Sequence, residues 1–436
     1  VNVDGVQFPV LGNSIIMAVV ILTHVFFAFF AVGGSILAVA AEWWGTKKKD
    51  NDYLRLAKSV SGFLSDMMKI NGVLGVAIVV LTIGLWSQFG AFLYSVQFWP
   101  FLLEGADFLL LMIFAVVYHH TWDSVSRGMH IFFGILTGFF ALMAGFLING
   151  IWAFMLFPGK WVETGLRWDA FFNPILWESS IHILLPTMIN ATLIIFLWTY
   201  WKSVKTQGAE QAYFNKMNLF TAKIGAVLLF LQPFSGLSFM FKVKSATEEA
   251  LESEVVKTVV PLSNPWQQIT DGMATPFFYT MITLGVLAMI GGALYWVQGH
   301  EKGRKALAFA AFAMFLAFFM GAFTRERARK PYLVWNNMYM NQQFVPGSIA
   351  APPAPAAAAE TGAPVNGEQV LKDKGCMSCH AGGAGAPSLN GLAQKYDKTT
   401  LMNFIRQPQG AAASMMPPFS GSEQELEALA EHLLKQ

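Results

Sequence analysis

Two cysteines occur in this chain of 436 residues, and both stand in one pentapeptide, Cys376-Met377-Ser378-Cys379-His380. That C-x-x-C-H spacing is the attachment signature of a c-type haem. The two thiols form thioethers to the porphyrin edge, and the adjacent histidine supplies an axial nitrogen to iron. A structural zinc site would need four ligands and so a second cysteine pair, which the chain lacks. A thioredoxin-like redox pair would need a βαβ setting, and none surrounds the motif. The expectation is one covalent haem c held by Cys376, Cys379 and His380. Because such haem is attached outside the cytoplasm, this segment is expected to face the periplasm.

Iron with one histidine needs a second axial ligand or an open face. Met415-Met416-Pro417-Pro418 lies late in the same segment. It resembles the Met-Pro loop of class I cytochromes c, in which a thioether sulfur closes the sixth position. Met416, directly before the proline, is the expected ligand. Met/His ligation raises the potential and favours electron transfer. The segment 368–436 is small for a self-sufficient core, and covalent haem would be its staple. Leu426, Leu429 and Leu433 recur at helical spacing near its end, so 423–435 reads as a packing helix. Ahead of it, 345–367 is rich in Ala and Pro and reads as a semi-rigid linker.

The remainder, 1–344, has the composition of a membrane protein. Over the whole chain hydrophobic residues make up 55% and charged residues 13%, against roughly 25% charge in soluble domains. The net charge of +2 gives no reason to expect a nucleic-acid partner. Eight apolar stretches approach spanning length: 13–41, 70–86 (with a start as early as 59), 101–117, 129–157, 175–198, 219–241, 277–297 and 306–323. Trp43, Trp44, Trp86, Trp198, Trp201 and Trp296 mark several ends, as an interfacial belt does. The first stretch lacks a basic leader and reads as a retained helix. Lys47, Lys48, Lys49, Arg55, Lys58, Arg127, Lys202, Lys205, Lys216, Lys302, Arg304 and Lys305 fall on one side of the alternating spans. The positive-inside rule therefore places the N-terminus and, after eight crossings, the C-terminus outside. The fold class is all-α: an eight-helix membrane bundle followed by a small helical haem c domain.

Ionisable residues inside spans are costly and often functional. Here they are His24, Asp66, Lys69, Glu104, Asp107 and His182, with Glu326 at a helix end. Each histidine could equally be a satisfied core residue. Asp66 and Lys69, at i and i+3, could neutralise each other.

The membrane part resembles subunit I of cytochrome bd oxidases over about 8–335. The likeness rests on local matches in a common order. They are the loop Asn51-Asp52-Tyr53-Leu54-Arg55-Leu56-Ala57-Lys58, Ile70-Asn71-Gly72-Val73-Leu74-Gly75-Val76, and Gln88-Phe89-Gly90. Asn173-Pro174 ahead of His182, Phe278-Tyr279-Thr280-Met281, and Glu326-Arg327-Ala328-Arg329-Lys330-Pro331 follow. The resemblance implies three non-covalent haems. His182 and Met281 match the two axial ligands of a low-spin haem b. His24 and Glu326 match the protein ligands of a high-spin pair, b and/or d. Glu104 matches one of two carboxylates in the third helix, and Asp107 stands one turn on. A second membrane subunit, lipid and O2 are the implied partners. The chain also departs from the family: a ninth helix is absent, the quinol loop after Gln232-Pro233 is reduced, and Tyr279 stands where the family has arginine.

Together these readings predict a membrane-bound terminal oxidase of the bacterial inner membrane. Electrons would enter at the tethered haem c from cytochrome c or another periplasmic donor, pass to the haem b, and reduce O2 to water at the high-spin haems. Glu104 and Asp107 would supply protons. The alternative is an electron-transfer module without oxygen chemistry, linking a quinol pool or partner complex to periplasmic carriers.

Overall fold

The computed structural model describes residues 13–252, 265–328, 332–334, 337–340, 343–345, 366–374, 376, 380, 389–408, 419 and 421–435. They fall into two compact units, one within 4–349 and one within 350–436.

The first unit is a helical bundle. Its long helices are α1 (Asn13–Lys48), α2 (Asn51–Leu85), α4 (Phe98–His120), α5 (Arg127–Phe154), α8 (Leu176–Lys205), α9 (Gly208–Glu252) and α11 (Thr275–Ala328). All seven are long and apolar enough to cross a membrane. The last has 54 residues and is broken at Gly299, whose φ of 74° lies in the left-handed region that glycine enters without steric cost. Its two arms, 275–298 and 300–328, fold back on each other. Gly291 lies against Ala310, and the Tyr295 hydroxyl lies 3.2 Å from His300 Nδ1. With α11 counted as two crossings, the eight expected spans are present.

The helices extend beyond the apolar stretches that signal them, because helical hydrogen bonding does not stop at the edge of the hydrocarbon. The first runs to Lys48, the second begins at Asn51, and the sixth covers Gly208–Glu252. Glu248, Glu249 and Glu252, beyond the apolar stretch 219–241, are therefore on the end of α9. Glu254 lies outside the described residues. Short helices that the periodicity did not signal, α3 (Ser87–Val96), α6 (Trp161–Thr164), α7 (Arg167–Phe171) and α10 (Pro265–Asp271), connect the long ones. Three short antiparallel strands follow α11: β1 (Tyr332–Val334), β2 (Asn337–Met340) and β3 (Gln343–Val345).

Antiparallel packing gives the bundle two chemically distinct ends. At one, Asn13 Nδ2 donates to the Leu85 carbonyl at 3.4 Å. The Arg325 guanidinium there donates to the Trp152 carbonyl and lies over the indole. At the other, ion pairs join the turns: Arg55–Glu210 at 2.8 Å, Lys58–Asp123 at 3.0 Å and Lys216 with both Asp50 and Asp52 at 2.7 Å. Asp50 also caps α2 by accepting from Asp52 N. Central helix α1 packs on α2, α5 and α8, while α9 joins α8 to α11.

The second unit contains α12 (Gly367–Asp373), a 3-10 turn (Leu392–Gln394), α13 (Lys398–Arg406) and α14 (Glu423–Leu433). Its core is Val370, Leu371, Leu401, Ile405, Leu426, Leu429, Ala430 and Leu433, so the leucine spacing near the chain end does mark a buried face. A side chain at Gly367 would overlap the Ala428 carbonyl, so glycine permits α12 to cross α14 closely. Ser422 and Glu425 form a reciprocal capping box that starts α14.

Candidate functional site

In the second unit the Cys376 side chain packs at the edge of the leucine core. His380 N donates to the Cys376 carbonyl at 3.2 Å, so the two residues are one helical turn apart. This spacing turns the histidine and the first cysteine toward the same side. Cys379, Met415 and Met416 lie outside the described residues.

In the bundle, His24, Glu104, Asp107, His182, Met281 and Glu326 all fall in the half nearer Asn13. His24 Nδ1–H donates to the Asn71 carbonyl at 3.2 Å, fixing α1 to α2. His182 Nδ1 is 3.3 Å from Ser235 Oγ and 3.4 Å from Gln232 Nε2 on α9. Its ring stacks on Phe239 at 5.3 Å and 19°. Phe239 and Phe278, the latter one turn before Met281, pack on a cluster that also holds Ala328. That cluster brings the neighbourhoods of His182, Met281 and Glu326 together from three helix segments. Phe26 stacks on Phe319 and meets Phe315 edge-on, which sets the height of α1 against the second arm of α11. At a rise of 1.5 Å per residue, Glu326 then lies about 10 Å further toward the Asn13 end than His24.

Each of three expected ligands lies against a glycine on a neighbouring segment. A Cβ at Gly75 would stand 3.2 Å from His24 Cε1, one at Gly236 3.6 Å from His182 Cε1, and one at Gly321 3.1 Å from Met281 Sδ. His119 has a similar neighbour in Gly62 near the other end, so a glycine opposite a histidine reflects close packing first. His119 also has its Nδ1 engaged, 3.3 Å from Ser61 Oγ, so what sets His24 and His182 apart is the buried, unpartnered amide oxygen beside each. In each, Nδ1 is engaged by its neighbours, and Nε2 makes no hydrogen bond among the described residues. A haem-ligating histidine needs one nitrogen held by the protein and the other bare. Asn71 Oδ1 and Gln232 Oε1, beside the two histidines, are buried and have no partner among the described atoms. The residues present therefore fit haem.

Glu104 is half-buried and Asp107 buried on α4, with Asp107 Oδ2 unpartnered among the described atoms. The sequence reading overlooked Gln97 at the α3–α4 junction. It is fully buried with neither amide atom partnered among the described atoms, and it stands seven residues before Glu104, on the same helical face. A lone amide in an apolar run was the available signal. The pair Asp66–Lys69 is closed at 2.8 Å on an outward face and neutralises itself there. The sequence reading also overlooked Glu42. It accepts from Tyr118 Oη at 2.8 Å and from Arg127 Nη1 at 2.9 Å, with His130 Nδ1 at 2.7 Å, although it is fully buried.

Seven long apolar helices, the last broken into two arms, define a polytopic membrane architecture among the described residues. Residues 14–251 match the family described as cytochrome bd terminal oxidase subunit I, and residues 362–433 match cytochrome C oxidase, cbb3-type, subunit III. The chain belongs to the cytochrome bd terminal oxidase subunit I family and carries a cytochrome c domain at its C-terminal end. It is 29% identical over 231 residues to a Bacillus subtilis (strain 168) protein described as "Putative cytochrome bd menaquinol oxidase subunit I". That match covers 49% of this chain and 50% of the relative, so the chain spans about half the length of the curated protein it matches. The solved bd oxidase from Geobacillus thermodenitrificans shares the fold, with a TM-score of 0.63 at 18% identity over 73% of this chain and 87% of that one.

Proposed function

We propose that this chain is the haem-bearing subunit of a bacterial cytochrome bd-type oxidase that takes electrons from a cytochrome c-type donor. The observation that carries this reading is the joining of a bd subunit I bundle to a cytochrome c domain containing the Cys376–His380 turn. The short interval 253–264 between α9 and α10 supports it, since it leaves little chain for a quinol-binding loop.

In this reading the domain boundaries are 1–344, 345–367 and 368–436. Cys376 and Cys379 anchor haem c, with His380 and Met416 as its axial ligands. His182 and Met281 hold a low-spin haem b, while His24 and Glu326 each hold one member of a high-spin pair. When bound, these haems supply one-electron transfer and oxygen reduction. The protein's own part is to orient the ligands, to exclude lipid and bulk water, and to hold protons at Glu104 and Asp107. Burial beside few hydrogen-bonding partners suits such carboxylates to proton exchange. The basic end of the bundle faces the cytoplasm, which sets the Asn13 end and the haem c domain outside. A second membrane subunit completes the oxidase.

Oxygen uptake by the purified complex tests this reading. Reduced cytochrome c, or an artificial one-electron donor, is expected to support turnover, and menaquinol little. Deleting 367–436 should abolish the first activity and leave the spectrum of the membrane haems intact, since a linker couples the units only through reach. The relative's description as a menaquinol oxidase favours a second reading, in which quinol supplies the electrons. Menaquinol turnover that survives the deletion would establish that second reading. No uptake from any donor, with all haems present and reducible, would mean an electron-transfer module without oxygen chemistry.

A further inference from the structure

Four residues of α9, Gln232, Ser235, Gly236 and Phe239, form one stripe at i, i+3, i+4 and i+7. All four meet His182. Ser235 Oγ and the Gln232 amide approach Nδ1, Gly236 leaves room beside Cε1, and Phe239 lies parallel to the ring. The ring is thus held at an edge and along one side, and no other histidine among the described residues has so complete a setting on a single helix.

The hydrogen bonds also fix the tautomer. A serine hydroxyl has one proton to give. Ser235 gives it to the Gln232 carbonyl, 2.9 Å away. Toward His182 it can therefore offer only a lone pair, so the ring must donate from Nδ1. A neutral imidazole that donates from Nδ1 has a bare Nε2. With Nδ1–H pointing at it, the Gln232 amide is complementary when it presents Oε1, since two N–H groups facing each other would repel. The oxygen and nitrogen of such an amide are assigned from the network around them.

We propose that Ser235 and Gln232 are positioning residues that lock His182 in the Nδ1–H tautomer and make its Nε2 a stronger donor to iron. This inference rests on the reading of His182 as a haem ligand. Acceptors on Nδ1–H pull the ring toward imidazolate and raise its basicity, which stabilises ferric over ferrous iron. Gln232 therefore serves the histidine on the neighbouring helix, whatever the donor of electrons.

The test is a redox titration of the haem b α-band in the purified full-length complex, together with haem content and the low-spin electron paramagnetic resonance signal of the oxidised protein. Ser235→Ala and Gln232→Leu are each expected to shift the reduced-to-oxidised ratio about tenfold toward reduced at fixed ambient potential, a rise of 59 mV for one electron, or to weaken haem retention about tenfold. Ser235→Thr, which keeps the hydroxyl, should restore the wild-type value. A purely structural serine would give a variant with less protein but an unmoved midpoint. Wild-type midpoint, haem content and resonance signal in both Ser235→Ala and Gln232→Leu would overturn the proposal, as would a downward shift. His182→Ala keeping the low-spin signal would instead overturn the ligand assignment beneath it.

Discussion

Glu42 Oε1 and His130 Nδ1 stand 2.7 Å apart with both side chains fully buried. His130 Nε2–H donates to the Tyr118 carbonyl at 2.8 Å, so both ring nitrogens are engaged. Arg127 and the Tyr118 hydroxyl fill the remaining positions on the carboxylate. This cluster ties α1 to α4 and α5 at the basic end of the bundle. Removing one member of such a buried network leaves the others desolvated without partners. Glu42→Ala should therefore cost about 3–5 kcal/mol of stability, and Glu42→Gln, which keeps the shape and one acceptor, distinctly less. Thermal unfolding of the detergent-purified protein, followed by circular dichroism, measures both. An alanine variant that melts like wild type would show the network to be energetically idle.

The turn between α1 and α2 gives a pH-dependent prediction. The Lys216 ammonium, 2.7 Å from Asp50, is the main cause that holds the Asp50 carboxyl below its usual range, with the Asp52 amide helping. A depressed pKa means that the stabilisation is fully present above the unfolded-state value, about 3.9. It is lost as pH falls through the lower folded value. The pair is partly exposed, with 39% and 26% of the two side chains accessible, so the effect is small and salt-sensitive. Asp50→Asn should lower the melting temperature slightly at pH 7, and the gap from wild type should close below about pH 4. A gap that persists unchanged at low pH would show that the loss does not come from the charge.

Covalent attachment can be read on a denaturing gel. Peroxidase staining should show haem on the full chain, while acid-acetone extracts the rest. Cys376→Ser with Cys379→Ser should remove the stain. The double variant should also make the C-terminal segment sensitive to proteolysis, because the leucine core around Cys376 loses its staple. A wild-type chain without stain would overturn the haem c assignment.

Spectra separate the membrane ligands. Met281→Leu should convert a six-coordinate low-spin iron to high-spin by opening one face, and His182→Ala should remove that haem. His24→Ala and Glu326→Ala should instead alter the carbon monoxide difference spectrum if, as proposed, those residues serve the ligand-accessible haems. An unchanged α-band in Met281→Leu would reduce its contact with Gly321 to packing.

Much of this molecule was legible as sequence. Apolar stretches of spanning length predict crossings because backbone polar groups in lipid must bond within their own segment, and seven helices of that kind are there among the described residues, the last broken into two arms at Gly299. The cytochrome c domain announces itself because its C-x-x-C-H motif is a local pattern of adjacent side chains. The leucines of α14 did so because a helix that buries one face repeats every three to four residues. Other features needed the tertiary structure. Charged helical turns such as 51–58 carry no apolar signal, so the expected helix ends fell short of the real ones. Glu42 looked like an ordinary polar residue near an interface until Arg127 and His130, 85 and 88 positions away, closed around it. Ser235 and Gln232 gave no sign of facing His182, because which residues of α9 meet α8 depends on how two helices are rotated and offset. That offset is fixed by side-chain packing across the whole interface, a sum of many small contacts that no short motif encodes.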